Sequence, residues 1–260
     1  MLLAEPQETS ADLHFAIGGI RVRVSAWFWA AAALLGWSQC QSWARGDQRT
    51  LLQLLVLWIV AVFVSILVHE MGHALAYRSF GQSAHVVLYH FGGLAIPDLW
   101  GRRGHLRPLE RLLVSAAGPA AQLALAACLI AALRAGGYVV PVPFAWLADG
   151  LGLEGGRHFT SIFTHVFVDF LLFVNIFWPL LNLVPVPPLD GGQIVREGLL
   201  AAGVADAHRI AGIIGVCAGG AVAWWGYTRG EPFLGIMFAM LAASCFQGLS
   251  AGSPPWRRWN

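Results

Sequence analysis

Six long apolar stretches alternate with short polar connections along this chain. They cover residues 24–43, 51–80, 109–133, 161–184, 210–225 and 233–249. A helix needs about 20 mostly apolar residues to cross a hydrocarbon core about 30 Å thick, and each stretch approaches that length. The first stretch turns polar after Trp37 and the fifth is short and rich in glycine, so these two are the weakest. The pattern predicts an all-α polytopic membrane protein with about six transmembrane helices.

Two shorter stretches have the alternation typical of β-strands. Apolar residues alternate with arginine over 20–24, after a turn signal at Gly18 and Gly19, although an irregular interfacial loop explains this stretch equally well. A β-branched and aromatic run over 84–96 contains Gly92 and Gly93, which predicts a hairpin whose turn lies at the two glycines. Short β-hairpins are therefore expected at the cytoplasmic face. Residues 135–160 have no clear period, and no element is predicted there.

The composition supports a membrane location and excludes several other classes of protein. Only 12% of the 260 residues are charged, about half the 25% that is usual for soluble domains, and the mean hydropathy is +0.64. A soluble enzyme and a disordered chain are therefore excluded. The formal net charge of +2 is too small to indicate nucleic acid as a partner. The expected partner is the lipid bilayer.

The distribution of arginine predicts the orientation in the membrane. All 16 basic residues are arginine, and eleven of them lie on the cytoplasmic side if the N-terminus is cytoplasmic and the chain crosses six times. The positive-inside rule then favours cytoplasmic N- and C-termini in a prokaryotic cell membrane. The first 20 residues carry three acidic residues and no basic one, unlike a signal peptide, so the first segment is expected to remain as an anchor. We divide the chain into a cytoplasmic strand or hairpin at 1–23, a six-helix transmembrane domain at 24–249 and a cytoplasmic tail at 250–260.

The second apolar segment ends in a cluster of ionisable residues, His69-Glu70-Met71-Gly72-His73. On a helix, positions i and i+4 share a face, so the two imidazoles converge on one point. This spacing is typical of a zinc site in which the intervening glutamate acts as general base on a metal-bound water. A surface helix just outside the bilayer is the simpler alternative. Ionisable groups at about this membrane depth are costly, however, and are usually functional.

Asp190 is the best candidate for a third zinc ligand. A catalytic zinc normally has three protein ligands, and Asp190 follows three prolines that end the fourth apolar segment. Under the arginine-based topology this segment ends on the same side of the membrane as the second. Irregular backbone near membrane depth is tolerated only where protein or a water-filled cavity surrounds it. The sequence therefore predicts one Zn²⁺ per chain, bound by His69, His73 and Asp190.

The two motifs resemble those of the site-2 protease family of intramembrane zinc metalloproteases. The resemblance rests on HExxH at 69–73 and NxxPxPxLDG at 182–191, with further landmarks at Phe91-Gly92-Gly93 and Gly118-Pro119. It implies that His69, His73 and Asp190 bind zinc, that Glu70 is the general base, and that Asn182 positions the substrate or polarises its carbonyl.

The resemblance also implies a function, and the sequence departs from the family pattern in two respects. The implied activity is endopeptidase cleavage of membrane-anchored protein substrates. The implied structure is a core of three helices with the active site on the cytoplasmic side. Gln122 stands where asparagine is expected after Gly118-Pro119, which weakens any site role for that helix. Neither a PDZ domain nor a nucleotide-sensing pair of domains is found, so the chain resembles the compact members. The edge of the 84–96 hairpin offers a place where an extended substrate could add as a strand.

Other polar residues and other functions are alternatives to this interpretation. His165 and Asp169, also spaced i and i+4, are interpreted as a hydrogen-bonded pair rather than a second metal site. His85, His90 and His105 are expected at the membrane interface, again not as ligands. A metal transporter would need ionisable groups along a path through the bilayer, whereas the strong cluster lies at one end. An inactive member that serves as a binding scaffold stays an alternative.

Overall fold

The computed structural model describes residues 7–90, 92–98, 105–142, 145–153 and 155–250. Four strands are present: Leu13–Ile17 (β1), Ile20–Val24 (β2), Ala84–Tyr89 (β3) and Gly92–Pro97 (β4). The helices are Ala26–Ala44 (α1), Gln48–Ser79 (α2), Pro108–Ala135 (α3), Ala145–Gly150 (α4), Ile162–Asn182 (α5), Asp190–Ala201 (α6), Ala207–Thr228 (α7) and Pro232–Ser250 (α8). The predicted tail from residue 251 onward and the landmark Phe91 lie outside the described residues.

Each predicted membrane segment coincides with a long helix. Among the described residues, five helices are long and apolar enough to cross a membrane: α2, α3, α5, α7 and α8, with mean hydropathies between 1.5 and 2.9. The first predicted segment forms α1, which is not one of these five. Its second half carries serine and glutamine, the polar turn already visible after Trp37. The prediction of a helical, polytopic membrane protein is confirmed.

The strands form one mixed sheet in the order β1-β2-β3-β4. Gly18 and Gly19 have φ of 56° and 81°, the left-handed conformation that a tight turn between β1 and β2 requires. The 20–24 stretch is thus a strand rather than a loop. A parallel pairing of β2 with β3, with Val22 opposite Val86, joins this hairpin to the second one. The sequence did not indicate that pairing, because it depends on contacts 64 residues apart.

The predicted turn at Gly92 and Gly93 is wrong. Strand β3 ends at Tyr89, which pairs with Gly92, and Gly93 pairs with Leu88. Both glycines therefore lie within β4. Gly93 is required by packing, because a Cβ there would collide with Glu70. Gly92 has φ of 144°, a backbone conformation that favours glycine.

The described residues form two compact units whose boundaries fall inside α3 and α5. The first unit comprises the described residues within Met1–Arg102 and Ala120–Pro179. Its core joins the sheet to α1, α2 and α5 through buried apolar side chains such as Val24 and Leu88. The indole Nε1 of Trp58 donates to the Ala32 carbonyl at 2.9 Å. A Cβ at Gly36 would lie 2.2 Å from the Trp58 ring, so α1 and α2 pack closely only because that residue is glycine.

The stretch at 135–160, for which no element is predicted, contains the short helix α4 and a bridge. Tyr138 and Arg157 form an isolated β-bridge, and the Arg157 guanidinium lies 4.3 Å from the centre of the Tyr138 ring. Tyr138 also stacks on Phe159, with ring centres 4.8 Å apart. Aromatic and cation–π contacts thus organise a segment that has no hydrophobic period.

The second unit comprises the described residues within Arg103–Pro119 and Leu180–Asn260. Helices α7 and α8 approach closely, since a Cβ at Gly226 would lie 2.9 Å from the backbone nitrogen of Gly235. Helix α6, which the sequence did not predict, carries a buried carboxylate. Glu197 is 1% exposed and accepts from Arg111 at 2.7 Å and from Arg196 at 2.6 Å. This paired charge fixes α6 against the first turn of α3.

Candidate metal centre

The ionisable cluster in the last third of α2 is buried. His69, Glu70 and His73 are all less than 9% exposed, and they follow an apolar run in the helix with the highest mean hydropathy, 2.9. The imidazole ring centres of His69 and His73 lie 4.8 Å apart, at an angle of 75°. The structure therefore places the two rings side by side on one face of α2, as the i, i+4 spacing predicts.

A glutamine from α3 reaches the first of these rings. Gln122 is wholly buried, and its Oε1 lies 2.8 Å from Nδ1 of His69. An amide oxygen can only accept, so the ring nitrogen must donate and carries the proton. The departure from the expected asparagine therefore does not remove α3 from the site.

Strand β4 lies directly against the glutamate of the motif. A Cβ at Gly93 would be 2.3 Å from Cγ of Glu70 and 2.7 Å from its Oε1, closer than atoms of real side chains approach. The absence of a side chain at Gly93 therefore creates the space that Glu70 occupies. Burial, and to a smaller extent the Glu70 carboxylate, raises the pKa of Tyr89 to about 12, so this phenol next to the site stays protonated.

The two glycines that follow Asp190 at the start of α6 are required by the preceding turn. A Cβ at Gly191 would lie 2.1 Å from the Leu183 carbonyl oxygen, and one at Gly192 would lie 2.2 Å from the Pro187 nitrogen. The proline-rich stretch can fold back over the start of α6 only when both residues lack side chains. Asp190 is the first residue of α6 and is half-buried.

His69, His73 and Asp190 are the group of potential ligands found among the described residues. One ligand atom from each lies within 4.8 Å of those of the other two. Two imidazoles and one carboxylate are donors that zinc accepts in tetrahedral sites, and three protein ligands leave the open position of a catalytic site. The chemistry of this donor set therefore fits zinc.

The other polar residues singled out from the sequence have different surroundings. His85 lies 3.0 Å from Asp98 through its Nδ1. The ring of His165 is 6.0 Å from that of Trp43 and 6.0 Å from that of Phe159, so it belongs to an aromatic cluster. Neither histidine joins a group of three potential ligands within the described residues. Asn182 is the last residue of α5, and its role stays a prediction.

The sequence between residues 57 and 222 matches the model of peptidase family M50, a segment that holds both motifs. The chain belongs to peptidase family M50. This M50 member is 32% identical over 147 residues to Rip3 of Mycobacterium tuberculosis, and 29% identical over 137 residues to sll0528 of Synechocystis sp.. Both relatives are named as zinc metalloproteases. The matches cover 54% and 52% of this chain but only 30% and 29% of the relatives, so the chain spans less than a third of their length.

The fold of this M50 member is similar to that of the site-2 protease from Methanocaldococcus jannaschii. The TM-score is 0.53 over 91% of this chain and 94% of the other, at 18% sequence identity. That similarity is one of fold. With the family match, it confirms the resemblance that the motifs indicate.

Two residues that contact the motif are not indicated as site residues by the sequence alone. Gln122 is an isolated polar residue in an apolar helix, and that isolation is the signal that could have found it. For Gly93 the local pattern predicts a turn, because a pair of glycines is a turn signal, and no local signal indicates its contact with Glu70.

Proposed function

We propose that this protein is an intramembrane zinc endopeptidase that cleaves membrane-anchored protein substrates within or near the bilayer. The observation that carries the proposal is the approach of ligand atoms from His69, His73 and Asp190 to within 4.8 Å, at the end of an apolar helix. Membership of a peptidase family supports the same activity.

In this proposal His69, His73 and Asp190 hold one zinc ion per chain, and Glu70 is the general base. Zinc bound there supplies a Lewis acid that lowers the pKa of a water molecule towards about 7. Glu70 lies between the two histidines on α2, and it takes a proton from the attacking water and passes it to the leaving amine. Its buried position excludes bulk water from that transfer.

Asn182 is proposed to position the substrate or to polarise the carbonyl of the bond that is cleaved. Its amide can donate two hydrogen bonds. Asn182 ends α5, where the helix gives way to the proline-rich turn that leads to Asp190. An amide there lies in the same segment as the third proposed ligand, which supports a role in the reaction.

The proposed substrate is a transmembrane protein whose cleaved segment is extended. A helix hides its peptide bonds, so the substrate must unwind before attack. Strand β4 pairs with β3 and has no second partner among the described strands. Because β4 contacts Glu70 through Gly93, a substrate strand added to its other edge would run near the general base.

The proposed location is a cell membrane crossed several times, with both termini and the active site on the cytoplasmic side. The five apolar helices support a membrane crossed several times. The arginine distribution supports cytoplasmic termini when α1 crosses as well, because six crossings return the chain to the side on which it began.

A cleavage assay with matched variants tests the proposal. Purified protein and a membrane-anchored substrate are incubated in proteoliposomes, and zinc content is measured on the same samples. Glu70→Gln keeps the size of the side chain but removes the base, so we expect cleavage to fall at least about 100-fold while zinc stays near one per chain. A variant that lacks residues 84–97 is expected to lose cleavage as well.

The same assay separates the alternatives. Zinc flux across the vesicle membrane without any cleavage by the wild-type protein would favour a transporter. Zinc binding with neither flux nor cleavage would favour an inactive scaffold. Cleavage by Glu70→Gln at the wild-type rate would refute the proposed general base, and unaltered cleavage without 84–97 would refute strand addition.

A further inference from the structure

Gln122 is a polar residue in the middle of a helix that is otherwise suited to the membrane. It is wholly buried, and it is the one buried polar residue of α3, whose residues are all described. The mean hydropathy of α3 is 1.8. A buried polar side chain in such a helix is costly unless it is hydrogen-bonded, and it then usually serves a function.

The bond that Gln122 makes is directed at a proposed zinc ligand. Its Oε1 lies 2.8 Å from Nδ1 of His69, 53 residues away in the sequence. If the amide nitrogen faced the ring instead, it would donate to a lone pair on Nδ1, and the ring proton would sit on Nε2. Such a ring cannot bind a cation through Nε2, whereas a ring with its proton on Nδ1 can.

We infer that Gln122 is a positioning residue that holds His69 in the tautomer and orientation needed to bind zinc through Nε2. The inference rests on the proposed zinc site. Histidine ligands commonly donate their second ring nitrogen to an acceptor that orients the ring and raises its basicity. Here a neutral amide, rather than a carboxylate, is the acceptor.

The other end of the amide supports this assignment. Nε2 of Gln122 is buried and has no hydrogen-bond partner among the described residues. A buried donor without a partner is destabilising, so a glutamine kept only for stability would be poorly placed here. The hydrogen bond to His69 explains why a glutamine stands at this position. An apolar side chain of the same size would pack in α3 without burying an unpaired donor.

The relation of the two histidine rings explains why the orientation matters. Their centres are 4.8 Å apart and their planes lie at 75°. Rotation of the His69 ring would turn its lone pair away from the point on which both imidazoles converge. Gln122, on a different helix, opposes that rotation.

Three variants of Gln122 test the inference on purified protein in nanodiscs. Gln122→Met removes the acceptor at similar volume, Gln122→Glu keeps an acceptor, and Gln122→Asn keeps the amide but shortens its reach. Cys128→Ala, at an exposed position of the same helix, is the matched control. Zinc affinity is measured by competition with a chelating dye. The tautomer of His69 is read from ¹⁵N shifts of labelled histidine in zinc-free protein.

We expect Gln122→Met to weaken zinc binding about 10- to 100-fold, the usual effect of losing such a partner. In this variant His69 should be a mixture of the Nδ1-protonated and Nε2-protonated tautomers, rather than the Nδ1-protonated form alone. Gln122→Glu should bind zinc within a few-fold of wild type, and Cys128→Ala should match it. If Gln122→Met does not fold, Gln122→Asn is expected to show the same losses.

Three results distinguish failure of this inference from failure of the proposed function. Wild-type zinc affinity and an unchanged His69 tautomer in folded Gln122→Met or Gln122→Asn would overturn the positioning role and leave the zinc site intact. So would loss of thermal stability without change in either readout. A wild-type protein that binds no zinc would overturn the proposed function itself.

Discussion

Gly93 and Glu70 approach each other closely in the candidate centre. The glycine belongs to β4 and the glutamate to α2, and the glutamate side chain occupies the place where a Cβ on residue 93 would project. Glu70 is buried, so it has little room to move aside. The position of Glu70, the proposed general base, is therefore set by a residue that has no side chain.

Gly93→Ala should displace Glu70 and lower the cleavage rate about 100-fold, the usual contribution of general acid–base catalysis. Zinc content should stay at the wild-type level, because the substitution touches neither histidine. Gly220→Ala is the control, since a Cβ there meets nothing within 4 Å. Cleavage and zinc content are measured on the same preparations. Full activity of Gly93→Ala would show that Glu70 is not held by this contact.

These residues also show what can be predicted from sequence at this scale. The convergence of His69 and His73 follows from helix geometry alone, and the structure reproduces it. The contacts of Gln122 with His69 and of Gly93 with Glu70 join different elements, so no local pattern encodes them. Asp190 is indicated by a local signal, because a carboxylate after three prolines is unusual at the end of an apolar segment.

Helix α2 carries both the membrane-spanning run and the metal motif, and it begins at a well-formed cap. The Asp47 side chain accepts from the Thr50 backbone N–H at 3.0 Å and from the Thr50 hydroxyl at 2.6 Å. These hydrogen bonds to Thr50 lower the pKa of Asp47 below its usual value of 3.8. The capping contribution is therefore complete above pH 3.8 and is lost as the pH falls through the lowered value in the folded state.

Asp47→Ala should lower the thermal midpoint at neutral pH, because two backbone N–H groups at the start of α2 lose their acceptor. The difference from wild type should be constant down to about pH 4 and shrink below it. Circular dichroism in detergent measures both. Asp47→Asn supplies a cap that does not titrate, so its thermal midpoint should not show the part of the fall below pH 4 that comes from protonation of Asp47. A difference for Asp47→Ala that does not change below pH 4 would contradict the assigned cap.

The elements differ in how far the sequence specified them. Apolar length located the six long helices, since lipid solvation requires it. The alternation over 20–24 and 84–96 located three strands, but the parallel pairing of β2 with β3 needed tertiary contacts. Helix α6 was missed because its three-proline entry suggested only irregular backbone. The closeness of Gly191 to the Leu183 carbonyl shows that this turn folds back onto a helix.

At the scale of the whole molecule, solvation by lipid explains why most of the sequence is apolar. The candidate metal centre explains several of the buried polar and charged residues. The buried polar and charged side chains among the described residues are Arg23, Ser25, Ser65, His69, Glu70, His73, Gln122, Asn175 and Glu197. Four of these nine belong to the HExxH motif or contact it. The match to peptidase family M50 covers these four residues.

The central claim is that two imidazoles and one carboxylate bind a single zinc ion. X-ray absorption at the zinc edge of the purified protein tests it most directly. The account predicts about one zinc per chain with nitrogen and oxygen ligands at about 2.0–2.1 Å, and loss of bound zinc in Asp190→Ala. Sulfur ligands at about 2.3 Å, or wild-type zinc binding by Asp190→Ala, would contradict it.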